Sequence, residues 1–178
     1  MSRIKQKILA FYTQRIVRAD RIARTNVGFQ QAQHIGILYR ADNPQKHKVV
    51  NHLAEALKNK GKKVTGLCYT PLPTLQAANT FATITDRDLQ LWGNITHPRA
   101  RAFVNTPFDY LFQVDIVGHP VINYLLAKSQ AKCRIGYYDT VRTGLFEMMV
   151  TFDRQAGSDD MDTLTKQMVH YVQRLKTS

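Results

Sequence analysis

The amino-acid sequence predicts an α/β protein. It describes a doubly wound, mostly parallel sheet of about five strands with helices on both faces, preceded by a long basic N-terminal helix. Three observations carry this. Short apolar runs rich in strand formers alternate with segments whose apolar residues recur at helical spacing. The strand-like runs are apolar enough to be covered on both faces, as strands of parallel sheets are. Residues 3–24 contain neither Gly nor Pro and carry a large share of the charge.

That first segment reads as one helix. At about 100° per residue, Ile4, Ile8, Phe11, Tyr12, Ile16, Ala19, Ile22 and Ala23 gather on one side. Arg3, Lys7, Arg18, Arg21 and Arg24 gather on the other, while Lys5 and Arg15 fall within the apolar arc. Asn26-Val27-Gly28 supplies the stop, dividing a basic helical segment, 1–27, from an α/β domain, 28–178. His34–Arg40 is a strand, and Ala41–Pro44 breaks it. Gln45–Lys60 is a helix with Val49, Val50, Leu53, Ala54 and Leu57 on one face, ended by Gly61. Lys63–Tyr69 is the next strand, and the unit implies a right-handed parallel crossover. Thr80–Thr85 reads as a short strand, with Thr85 or Asp86 capping a helical turn through Asp88–Trp92. Pro98–Asn105 is a short helix, Phe108–Ile116 a strand, Pro120–Lys128 a helix and Cys133–Tyr138 a strand. Phe146–Phe152 adds a strand, and Ser158 or Asp159 caps a final helix to about Lys176. The strand ending at Asp115 is expected at the centre of this Rossmann-like sheet.

At 178 residues the chain suits one domain with a sizeable core, and 44% hydrophobic residues is globular composition. No apolar run reaches the roughly 20 residues that cross a bilayer, and the N-terminus lacks a small-residue cleavage site. Cys68 and Cys133 sit in apolar runs and read as buried reduced thiols, so a cytoplasmic protein is expected. The distinguishing property is charge. The net is +12, and residues 1–25 supply seven basic side chains against one acid, half of that excess. Such an imbalance favours polyanionic partners.

From His34 onward, the segments HIGILYRADNP, ALKNKGKKVTGLCY, DRDLQLWG, TPFDYLFQVD and NYLLAKSQAKCRIGYYD resemble a family of unknown function found in Bacteroidota. That resemblance implies a fold and brings no activity. The stretch FDYLFQVDIVGHPVINYLLAKSQAKCRIGYYD is similar to the N-terminal Rossmann-like half of heptosyltransferase-type glycosyltransferases. The likeness implies counterparts at Asp115, Gly118, Arg134 and Gly136. It also departs from that family: the first strand ends in Arg40-Ala41-Asp42-Asn43-Pro44 without the expected Gly-Asp, and a second nucleotide-binding domain has no room.

Candidate sites follow from placement. Ligands of open α/β sheets bind at the carboxyl ends of the strands, which makes Asp42, Asn43, Asp115 and His119 pocket residues on one rim with Tyr69, Tyr138 and Asp139. Asp115 and His119 form the best acid–base pair on offer, while Asp, Asn and His at such junctions also serve as turn formers and helix caps. No Gly-x-Gly-x-x-Gly, Walker loop or Gly-x-Ser-x-Gly occurs, and His47 and His52 read as solvated, so no catalytic residue, metal or cofactor is expected. Lys58, Lys60, Lys62 and Lys63 cluster at a helix C-terminus, where they complement the helix dipole or contact phosphates. Arg3, Lys7, Arg18, Arg21 and Arg24 form the stronger basic face, open to RNA, to an anionic lipid surface, or to solubility and protein docking. The expected function is a non-enzymatic RNA-binding or ribosome-associated factor with structured, foremost ribosomal, RNA as partner. The alternative is a degenerate glycosyltransferase-like small-molecule domain.

Overall fold

The computed structural model describes residues 2–20, 22, 24–25, 27–71, 81–90, 94–153 and 160–175. Six strands form one sheet: β1 (His34–Arg40), β2 (Lys63–Tyr69), β3 (Ala82–Ile84), β4 (Tyr110–Gln113), β5 (Cys133–Tyr137) and β6 (Met148–Val150). Every pairing is parallel, in the order β3-β2-β1-β4-β5-β6. This is the Rossmann order, with β1 and β4 adjacent at the point where the winding reverses. About five strands were expected from the sequence, and six form because the marginal run at 82–84 and the edge run at 148–150 both pair. β4 lies inside the sheet between β1 and β5, as the apolar run before Asp115 requires.

Two apolar clusters cover the two faces. On one face α1 (Arg3–Ala19), α3 (Pro98–Asn105) and α4 (Pro120–Lys128) bury Leu9, Phe103, Val104, Val121, Ile122 and Leu125 with Leu38, Leu67 and Leu111 of the sheet. On the other, α2 (Pro44–Lys58) and α5 (Asp160–Arg174) bury Val50, Leu53, Leu57, Leu164 and Met168 against Ile35, Ile37, Tyr39 and Phe112. The alternation along β1 shows why: Ile35, Ile37 and Tyr39 take one face and Leu38 the other, the period-two rule of a strand buried on both sides. α1 therefore belongs to the core, since Leu9 is fully buried and the helix packs chiefly on α4.

Local chemistry sets the ends of the elements. Asn43 caps α2, its side chain accepting from the Lys46 N–H at 2.9 Å, with Pro44 in the first turn. At the other end Gly61, the positive-φ residue at +76° among those described, closes α2 as Lys62 N–H donates back to Leu57. Thr85 caps a 3₁₀ turn at Asp86–Asp88, and a second 3₁₀ turn at Thr140–Leu145, absent from the sequence reading, joins β5 to β6. The Ser158 and Asp159 cap positions, Trp92 and Lys176 lie outside the described residues.

The N-terminal helix is shorter than its pattern. It stops at Ala19 instead of running to Arg24. Asp20 turns extended, and its carboxylate accepts from the Ile22 N–H at 3.0 Å, offering the backbone an alternative to the helical ladder. Arg24 then turns inward to the amino edge of β5.

Candidate nucleic-acid interface

Ser2 opens α1 by accepting from the Lys5 N–H. The buried stripe of the helix is Leu9 and Thr13, supported by the half-buried Tyr12, Ile16 and Val17. The helix is thus rotated from the orientation its apolar arc suggests. Ile4 and Phe11, expected to face inward, are 69% and 57% exposed. Lys5 goes the other way, its ammonium donating to the carbonyls of Asp86 and Leu89 above the carboxyl edge of the sheet. The reason is tertiary: α1 meets α4 across a narrow seam, and Leu9 with Thr13 is the pair that fits it.

The outer face of α1 consequently presents Arg3, Ile4, Lys7, Phe11, Gln14, Arg15 and Arg18, all exposed, with no acidic residue in the helix. The Arg15 guanidinium lies 5.7 Å from the Phe11 ring centroid, a cation–π distance. Arg18 in the last turn complements the helix dipole, whereas Arg3 and Lys7 near the first turn oppose it. Helix stability therefore does not account for them.

The basic residues singled out in the sequence separate into distinct groups. Arg3, Lys7 and Arg18 share the outer face, and Arg15 joins them. Arg21 lies outside the described residues. Arg24 is not on that face: its side chain is 11% exposed, ion-paired to Asp20 and Glu147 and donating to the carbonyls of Ser129 and Ala131. There it meets Arg134, whose guanidinium binds Glu147 at 2.7 Å. Burial pushes the Asp20 carboxyl up, but Arg24 and the Ile22 N–H outweigh it and hold the group below its ordinary value. At the amino edge of the sheet, Lys62 ties down the chain before β1 by donating to Phe29 and Ala32 carbonyls at 2.7 and 2.8 Å. Lys58 pairs with Glu55, while Lys60 and Lys63 stay exposed. This lysine group belongs to the α2 layer and is not continuous with the α1 face.

The strand-end rim is closed by a buried polar chain. Asp115, just past β4, is 3% exposed and accepts from the Lys46 ammonium at 2.7 Å, the Arg40 N–H at 3.0 Å and Gln113 Nε2 at 2.8 Å. Lys46 rises from the first turn of α2 into the place where a nucleotide-binding loop would hold phosphate, and also pairs with Asp42 at 3.3 Å. Gln113 extends the chain to Arg142, which binds Asp139 at 2.7 Å and the Ile116 carbonyl. Burial raises the Asp115 carboxyl to about 6, against the lowering influence of Lys46 and the N–H donors. His119 caps α4, its Nδ1 accepting from the Val121 N–H, and its ring packs on Tyr69 with centroids 4.9 Å apart. Burial, with Arg40 nearby, lowers His119 to about 4, so it is neutral at pH 7. Among the described residues Asp115 and His119 share no hydrogen bond. The four rim residues are thus brought to one edge as anchors and caps.

The profile of a family of unknown function (DUF6913) matches residues 5–175. The chain belongs to this family. No curated protein and no solved structure matches the chain. The match starts inside α1 and ends with α5, so the DUF6913 unit includes the basic helix as well as the sheet.

In this DUF6913 chain five acids, Asp20, Asp109, Asp115, Asp139 and Glu147, each pair with Arg or Lys through side chains that are buried or half-buried. On α1 the exposed positive charge of Arg3, Lys7, Arg15 and Arg18 has no acid in the same helix to offset it. Among the described residues no three His, Cys, Asp or Glu side chains gather as a metal site, and no helix is long and apolar enough to cross a membrane. His52 is exposed as expected, but His47 is half-buried and hydrogen-bonded to the Tyr39 hydroxyl at 2.8 Å. Both cysteines are free and buried. Sequence reasoning missed Phe11 and Arg15 as outer-face residues. Arg15, a cation within the apolar arc, was the available signal, whereas Lys5, placed in the same arc, does turn inward.

Proposed function

We propose that this protein is a non-enzymatic factor that binds structured RNA, ribosomal RNA foremost, through the outer face of α1. The observation that carries the reading is the exposed, acid-free array of Arg3, Lys7, Arg15 and Arg18 on a helix whose opposite side is locked into the core. Because the helix is anchored through Leu9, its backbone is fixed before binding and only the side chains of the array remain to be ordered. Phosphate contacts from Arg and Lys supply affinity by releasing counterions, and the shape of the RNA supplies discrimination. Buried reduced thiols suit a cytoplasmic setting.

One observation favours a second reading. Ile4 and Phe11 stand exposed among the cations, the pattern of a helix lying on an anionic lipid surface. A salt series separates the two. Replacing Arg3, Lys7 and Arg18 by Gln removes three charges and keeps helix propensity, so the log–log salt slope of RNA binding falls by about two to three units. An unchanged slope refutes the RNA interface. Binding to phosphatidylserine vesicles without binding to RNA transfers the face to the membrane reading.

A further inference from the structure

Beside the basic face, α1 borders a groove of about 290 Å³ whose far wall is the start of α4 and the 3₁₀ turn at 140–145. Its walls are small and apolar: Ala10 and Val17 on α1, Pro120 on α4, Val141 and Leu145 on the turn. Gly144 brings the two walls together, since a Cβ there would meet the Val17 side chain at 2.9 Å. Two carboxamides, Gln14 and Asn123, line the same space, and Arg18 stands at its rim. The Asn123 carboxamide oxygen is buried and has no hydrogen-bond partner among the described residues. Val141 projects over the opening at 90% exposure.

We infer that this groove takes a single nucleotide: a nucleobase between the α1 wall and the 140–145 turn, with its phosphate on Arg18. The inference rests on the RNA reading of α1 and specifies what part of an RNA is recognised. A flat heteroaromatic ring fits between two aliphatic walls, where dispersion contact makes little demand on which base it is. Base edges carry alternating donors and acceptors in one plane, which is what the exposed Gln14 carboxamide on the groove wall matches. The volume lies at the bottom of the range of ligand sites, roughly 300–1,000 Å³, and so suits one nucleotide rather than two. Charge is complementary, because Arg18 belongs to the exposed array that continues along α1. The site adjoins the strand-end rim through Arg142, which lines the groove and ends the polar chain, while at the rim itself Lys46 and Asp115 occupy each other. An unpaired nucleotide of a loop or bulge provides the splayed base that such a slot requires, which a continuous duplex does not.

The test uses the full chain with three probes: an RNA hairpin with an unpaired loop, a fully paired duplex of equal length, and the four nucleoside monophosphates. Ala10→Trp and Val141→Trp fill the groove from opposite walls at exposed positions and leave every charge in place. The expected result is that each variant weakens hairpin binding at least tenfold while duplex binding and the salt slope stay as in the native protein. Binding of a monophosphate that both variants abolish also supports the site and assigns its source to free nucleotide. Hairpin binding unaltered in both variants, with no monophosphate bound, overturns the inference. If the Arg3, Lys7 and Arg18 variant still lowers the slope in that case, the RNA interface stands and only the nucleotide slot falls. If no RNA binds the native protein at all, both readings fail together.

Discussion

Replacing Lys46 by Met is the most informative perturbation of this fold. The side chains of Lys46 and its partner Asp115 are both buried, so removal leaves a buried carboxylate facing a methyl group. Breaking a buried pair from one side costs about 3–5 kcal/mol. At about 2–4 °C per kcal/mol for a chain of this size, the melting temperature falls by roughly 6–20 °C at pH 8. The cost depends on pH because the stranded group titrates. Asp115 already has its folded value raised to about 6, against 3.8 for a free Asp, since burial outweighs Lys46 and the N–H donors. A carboxyl with a raised folded value contributes stability that is full below its unfolded value and is lost as pH rises through its folded value. Without Lys46 that folded value climbs further, so the loss extends above pH 6. At pH 5 the neutral carboxyl still accepts from the Arg40 N–H and Gln113, and the variant closes much of its gap to the native protein. Urea denaturation followed by circular dichroism at pH 5, 6.5 and 8 reads the effect. An equal deficit at all three values, or less than about 1 kcal/mol at pH 8, refutes the account of a sealed switch point.

Three further outcomes follow from other parts of the molecule. Arg24→Gln is expected to destabilise the fold by about 2 kcal/mol through loss of charged hydrogen bonds, while leaving the salt slope of RNA binding unchanged; a slope that falls as it does for Arg18→Gln would return Arg24 to the interface. Gly66→Ala and Gly136→Ala drive a Cβ to 2.2 and 2.3 Å from the Phe81 and Phe146 rings, so each lowers stability by about 1–3 kcal/mol in thermal melts. A neutral result would show that the rings move aside freely. Burial pushes the Cys68 thiol up to about 11 and Cys133 up to about 12, so both should react with a disulfide reagent at pH 8 only at the rate of unfolding. Rapid labelling of the native protein would contradict their burial.

Much of the fold was legible in sequence because strand and helix periods are local. The runs at 34–40 and 63–69 are β1 and β2 with the same bounds, and the turn formers after β1 include Asn43, which caps α2. Charge was legible too, being a sum over residues. Asp42, Asn43, Asp115 and His119 collect at the carboxyl edge of the sheet because each lies on the connection that follows a strand. What they do there was not legible, because Lys46 reaches Asp115 across 69 positions of chain.

The sequence alone determined that strands and helices alternate, that the sheet is covered on both faces, and that excess positive charge begins the chain. The tertiary structure decided the rest. It rotated α1 so that Leu9 and Thr13 enter the seam with α4, sent Lys5 inward to two carbonyls, and left Ile4 and Phe11 in solvent. It also withdrew Arg24 from the basic face into a cluster with Asp20, Arg134 and Glu147. The physical reason is the same in each case. A helical period ranks the faces of a helix by average polarity, but burial is awarded by fit to a particular neighbour, and a cation's role depends on which carbonyls and carboxylates folding places beside it.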